Sequence, residues 1–133
     1  MVEKKSHIIL IISILIVIKQ IIYNRHMYNL YTIFVKILEI SKRFAGNLVN
    51  ERGNISRRGV VPRFSDLEVI SLSLTSEVFG IDSENFLFSK LREYRKEFPN
   101  LISRRQYNDR RKLTADLCNS IREKTASYIG SAE

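Results

Sequence analysis

Two short signatures constrain this chain more than anything else in it. Ser65 stands three residues before Glu68, and Ser103 three before Gln106. In each pair a hydroxyl reaches forward to an amide of the first helical turn. The carboxylate or carboxamide reaches back to the capping residue's own amide. Such reciprocal caps open helices, so helices are expected to begin at Ser65 and at Ser103. Glycine and proline supply matching stops. Gly46, Gly80 and Pro99 each follow a run of helix-spaced apolar residues.

Between these marks the apolar periodicity is helical. In "LYTIFVKILEISKRFA", Leu30, Ile33, Phe34, Ile37, Ile40 and Phe44 share one stripe, so 28–46 reads as an amphipathic helix. From Ser65 to Gly80 there are two stripes: Leu67, Ile70, Leu74 and Val78 on one side, Val69, Leu72 and Phe79 on another. A helix apolar on two faces belongs in the centre of a fold. Asp82 or Ser83 caps a helix that the spacing carries to Pro99, with Leu87, Leu91, Tyr94 and Phe98 inward.

From Ser103 the spacing predicts one helix to about Tyr128. Tyr107, Leu113, Thr114, Leu117, Ile121 and Tyr128 form its apolar face. Arg104, Asn108, Arg111 and Lys112 lie opposite, with Arg105 at their edge, and Arg110 lands among the apolar positions with no role the pattern supplies. The stretch 47–64 is rich in glycine and arginine and reads as a basic linker. The expected fold is mostly α: an apolar leader (1–27), an amphipathic helix (28–46), the linker (47–64), and a helical DNA-binding-like domain (65–129). That domain is expected to be a three-helix bundle resembling a helix-turn-helix.

The leader contains "IILIISILIVI", Ile8 to Ile18. A membrane-spanning helix needs about 20 apolar residues, and extending the run to Tyr23 takes Lys19 with it. Lys4 and Lys5 precede it, but no small-residue cleavage site follows. Three readings stay open: a weak membrane segment over 8–23, a buried helix or strand, or an upstream extension outside the fold.

Charge narrows the partners. There are 22 Lys+Arg against 14 Asp+Glu, a formal net charge of +8. From Arg92 to Lys112 eight positives oppose three negatives, 8 − 3 = +5. Charge this dense suits a polyanion, either nucleic acid or an anionic membrane. The candidate DNA contacts are Arg104, Arg105, Asn108, Arg111 and Lys112, assisted by Arg57, Arg58 and Arg63, with phosphate contact as the primary role. The single cysteine, Cys118, builds no disulfide framework and no thiolate metal site. There is no Gly-rich phosphate loop, no HExxH and no Cys/His cluster. Glu93 and Glu97 share a face that a metal could use, but pairing with Arg92, Arg95 or Lys96 is the simpler reading. No catalytic or metal-ligating residue is assigned.

Three stretches carry a resemblance: "FSDLEVISLSLTSEVFGIDSENFLF" (64–88), "LREYRKEFPNLISRRQYNDRRKL" (91–113) and "IREKTASYIGSAE" (121–133). With Phe98 to Arg110 as its most distinctive run, the chain from about Tyr28 resembles the N-terminal helical region of bacterial insertion-sequence transposases of the insertion sequence 982 family. The resemblance implies a helical DNA-binding region followed by an RNase H-like domain. In that domain an Asp-Asp-Glu set, usually with Mg²⁺, cuts and joins DNA. None of those acids is expected in this chain, Glu133 included, so no cofactor is expected here and the chain alone is expected to be inactive. The expected partner is double-stranded DNA, and the expected location the cytoplasm. The alternatives are a module that pairs with a full-length transposase, or a small basic protein associated with a membrane through 8–23.

Overall fold

The computed structural model describes residues 29–132, and the apolar leader lies outside them. Within this range the chain is helical, with no strand among the described residues. Five α-helices follow in order: α1 (Leu30–Ala45), α2 (Asp66–Val78), α3 (Glu84–Leu91), α4 (Arg104–Leu113) and α5 (Ala115–Ala132).

The local signals act where the sequence puts them. Ser65 and Ser103 each accept from the amide three residues on, and Glu68 and Gln106 accept from the capping amides in return. Asn29 caps α1 through a 2.8 Å bond from the Thr32 amide, and Ser83 caps α3. Gly46 and Gly80 lie just past helix ends at φ 54° and 67°, a conformation that costs a residue with a Cβ far more.

The core is two apolar clusters with α2 between them. Leu67, Ile70 and Leu74 face Ile33 and Ile37 of α1 and Leu117 and Ile121 of α5. Val69 and Leu72 face Phe34, Leu87, Leu91, Phe98 and Tyr107 in the second cluster. The two expected stripes of α2 therefore meet different neighbours, and α2 is the central helix. α1 also feeds both clusters, through Ile33 and Ile37 to one and Leu30 and Phe34 to the other. Where α1 crosses α2, the small buried residues Ser41 and Ser71 meet with hydroxyls 3.5 Å apart. Ser71 turns its own proton to the Leu67 carbonyl at 2.6 Å, so this buried polar pair does not go unsatisfied.

Two expected helices are shorter than their periodicity. The helix expected to reach Pro99 is α-helical only to Leu91. It tightens into a 3₁₀ turn at Arg92–Tyr94 and then unwinds. Phe98 is pulled instead against Phe34 and Tyr31, with ring centroids 4.8 and 5.4 Å away. The helix expected from Ser103 to Tyr128 breaks at Thr114, which has φ −102° and ψ 11°. The Thr114 hydroxyl donates to the Arg110 carbonyl at 2.8 Å and so relieves one helix-end acceptor. The physical reason for the break lies in the core. Tyr107 packs into the second cluster while Leu117 and Ile121 pack into the first, and the break lets α4 and α5 serve one each. Leu113 falls at the break and is 74% exposed, not part of the expected apolar face. The Tyr128 side chain lies outside the described residues.

The stretch expected as a linker has two parts. Residues 50–55 fold back onto the start of α2. The Asp66 amide donates to Asn54 Oδ1 at 2.9 Å and the Leu67 amide to the Gly53 carbonyl at 3.0 Å. With Ser65 taking the Glu68 amide, the first three amides of α2 are all satisfied. Gly53 sits at φ 81°, a conformation that favours glycine, and packs closely against Leu67 and Ser65. Residues 56–63, by contrast, lie almost entirely in solvent.

Candidate nucleic-acid interface

Among the described residues the arginines fall into two populations, and carboxylates separate them. Asp66, at the first position of α2, is fully buried. Its Oδ1 accepts from Arg110 at 2.8 Å, and its Oδ2 accepts from Arg57 and from the Ile55 amide. Burial by itself raises this carboxyl. The hydrogen bonds from Arg57, Arg110 and Ile55 outweigh that, and the net result is a carboxyl held below its ordinary value. Arg110, which the pattern placed among apolar positions, is there to reach Asp66.

Two further arginines are held in the same way. Arg122, on α5 and buried, pairs with Glu77 of α2 and donates to Asn119 Oδ1 at 2.9 Å. Arg111 pairs with Glu84 Oε1 of α3 at 3.2 Å and donates to Asn108 Oδ1 at 3.3 Å. Arg111 and Glu84 edge a polar crevice of about 410 Å³ that also takes in Ser73, Ser76 and Tyr107. Burial pushes the Tyr107 phenol up to about 12 and the Cys118 thiol up to about 11. Cys118 is thus a small packed residue and not a reactive thiol.

The second population carries no ion pair among the described residues. Arg92 and Arg95 follow α3, and Arg104 opens α4. Together with Asn85 and Ser89 they line a cleft of about 350 Å³ in which no carboxylate takes part. The floor is apolar, from Phe88, Leu91 and Leu101. Local structure explains the convergence. The 3₁₀ turn after Leu91 carries Arg92 towards the cleft, and the Ser103–Gln106 cap sets Arg104 at the opposite edge. Arg104 is the first residue of α4, so the cleft lies beside the end of that helix whose dipole is positive. Three arginines on the border of one concavity without an acid suit an anion.

The candidate residues read from the sequence can now be placed. Arg104 lines the cleft. Arg105 and Lys112 are exposed on the outer side of α4. Asn108 is half-buried and occupied with Arg111, which is itself paired. Arg57 is held by Asp66, so of the three candidate arginines in the linker only Arg58 and Arg63 project into solvent from 56–63. Arg92 and Arg95 were not among the candidates. The charge run from Arg92 to Lys112 held the signal, but an expected straight helix to Pro99 gave those arginines no reason to face α4. Among the described residues no group of His, Cys, Asp and Glu is arranged to hold a metal ion, and no helix is long and apolar enough to cross a membrane. The chain matches no known protein-family pattern, no curated protein sequence and no solved structure.

Proposed function

We propose that this chain binds double-stranded DNA through α4 and the cleft beside it, as the DNA-binding portion of a transposase whose catalytic acids lie outside this sequence. α2, α3 and α4 serve as a helix-turn-helix-like unit with α4 as the recognition helix. Its N-terminal residues meet the duplex while Tyr107 anchors it to the core. Arg92, Arg95 and Arg104 clasp one phosphate segment in the cleft, and Arg105 and Lys112 meet phosphates along the outer side of α4. The observation that carries this reading is the cleft itself: three exposed arginines line one concavity that contains no acid, whereas Arg110, Arg111 and Arg122 are each met by a carboxylate. DNA cutting and joining are assigned to a separate catalytic domain and not to these residues.

The test is the salt dependence of binding to a mixed-sequence duplex. Replacing Arg104 and Arg105 together by alanine is expected to weaken binding and make the plot of log K against log salt shallower by roughly two units at most, about 0.9 for each phosphate no longer neutralised. An unchanged slope rules out this face of α4.

A further inference from the structure

The exposed loop 56–63 has a composition that the cleft does not account for. It reads "SRRGVVPR", and Val60 and Val61 stand between Arg58 and Arg63. Val60 is 91% exposed and Val61 48%. Gly59 turns the chain at φ 108° just before them. The root of the loop, however, is fixed. On one side the Ile55 amide and Arg57 bind Asp66, and on the other Phe64 is buried. An exposed tip thus stands on an anchored base. The anchor is shared: the carboxylate that takes Arg57 also takes Arg110 of α4. One buried group thus ties the root of the loop to the helix proposed to meet DNA.

We infer that residues 58–63 form a minor-groove arm, in which Arg58 and Arg63 enter the groove and Val60 and Val61 press an apolar wedge against its floor. This rests on the DNA-binding reading above. A narrow A·T-rich minor groove concentrates negative potential and draws in arginine. Apolar side chains inserted there part base steps. The loop is fixed at Arg57 and Phe64, so its seven residue steps, at most about 24 Å, let the tip reach about 12 Å from the root, against a groove about 6 Å wide and about 7.5 Å deep. The arm can therefore enter the groove while its root stays on Asp66. A lipid surface fits less well, because two valines bury only about 3–6 kcal/mol of apolar area and stable anchoring takes a second signal.

The experiment uses the full chain and two duplexes of one sequence, one with G·C pairs and one with inosine replacing every guanine. Inosine lacks only the minor-groove amino group that distinguishes G·C from A·T there, and leaves the major-groove acceptors in place. The chain is expected to bind the inosine duplex about fivefold more tightly, the size of a single good base discrimination. Arg58→Ala with Arg63→Ala should bring that ratio to one, and Val60→Ser with Val61→Ser should lower it. Arg92→Ala with Arg104→Ala should weaken both duplexes alike and leave the ratio intact. Equal affinity of the unmodified chain for the two duplexes overturns the arm while leaving the cleft standing. Failure to bind either duplex, or tighter binding to anionic vesicles than to either, overturns the arm together with the DNA reading on which it rests.

Discussion

The arginines around Asp66 and those around the α3–α4 cleft differ in one respect that decides what each can do. Arg57 and Arg110 meet a buried carboxylate with 34% and 14% of their side chains exposed. Arg92, Arg95 and Arg104 line an open cleft with no carboxylate among its lining residues. The first group closes a fold. Two cations and one anion, joined by a backbone amide, hold the loop, the start of α2 and the middle of α4 in one place. The second group makes no ion pair among the described residues, and it remains available to an outside anion. Identical chemistry thus serves cohesion at one site and, on the DNA-binding proposal, recognition at the other, and the difference is the presence of Asp66.

The sharpest way to break the comparison is to remove that carboxylate. Asp66→Ala leaves Arg110 charged, mostly buried and unmet, and is expected to cost about 3–5 kcal/mol, read as a lower urea midpoint at unchanged slope. Arg57→Ala should cost far less, because Arg57 is one-third exposed and water replaces part of what is lost. The same clamp has an acid signature. A carboxyl held below 3.8 in the folded chain contributes stability that is complete above that value and is lost as pH falls through the folded one. The acid limb of the stability curve should therefore flatten in Asp66→Asn. A loss below about 1 kcal/mol for Asp66→Ala would mean that the clamp does not hold the fold.

Next in size is the cap that presents the second group. Ser103→Ala removes the acceptor for the Gln106 amide and should cost about 1 kcal/mol. It should also fray the turn that carries Arg104 and Arg105, visible as faster amide exchange there than in α2. The smallest expected effect belongs to the cleft. Arg92→Ala with Arg95→Ala should change stability by less than about 0.5 kcal/mol while making the salt dependence of DNA binding shallower. A large loss of stability in that variant would place these arginines with the clamp and erase the distinction.

Much of the fold was legible because its signals are short-range. The reciprocal caps at Ser65 and Ser103, the stops at Gly46 and Gly80, and the double stripe of α2 all express themselves within one or two turns. What was not legible depends on partners distant in the chain. The break at Thr114 follows from Tyr107 and Leu117 belonging to different clusters, and no pattern within 103–128 states that. The early end of α3 follows from Phe98 finding Phe34 and Tyr31, some 64 to 67 residues earlier in the sequence. Of the candidate contacts, Arg104, Arg105 and Lys112 lie on the exposed side the periodicity gave them, whereas Arg57 and Arg111 were drawn into ion pairs that periodicity cannot see.

By itself the sequence determined where α2, α3 and α4 start, where α1 and α2 stop, and which apolar stripes had to be covered, because a cap or a stripe is satisfied by residues three or four positions away. Only the tertiary structure decided which arginines turn inward and which face solvent. Arg110 and Asp66 are 44 residues apart, and a guanidinium gives up water only where packing brings a buried carboxylate within reach of it.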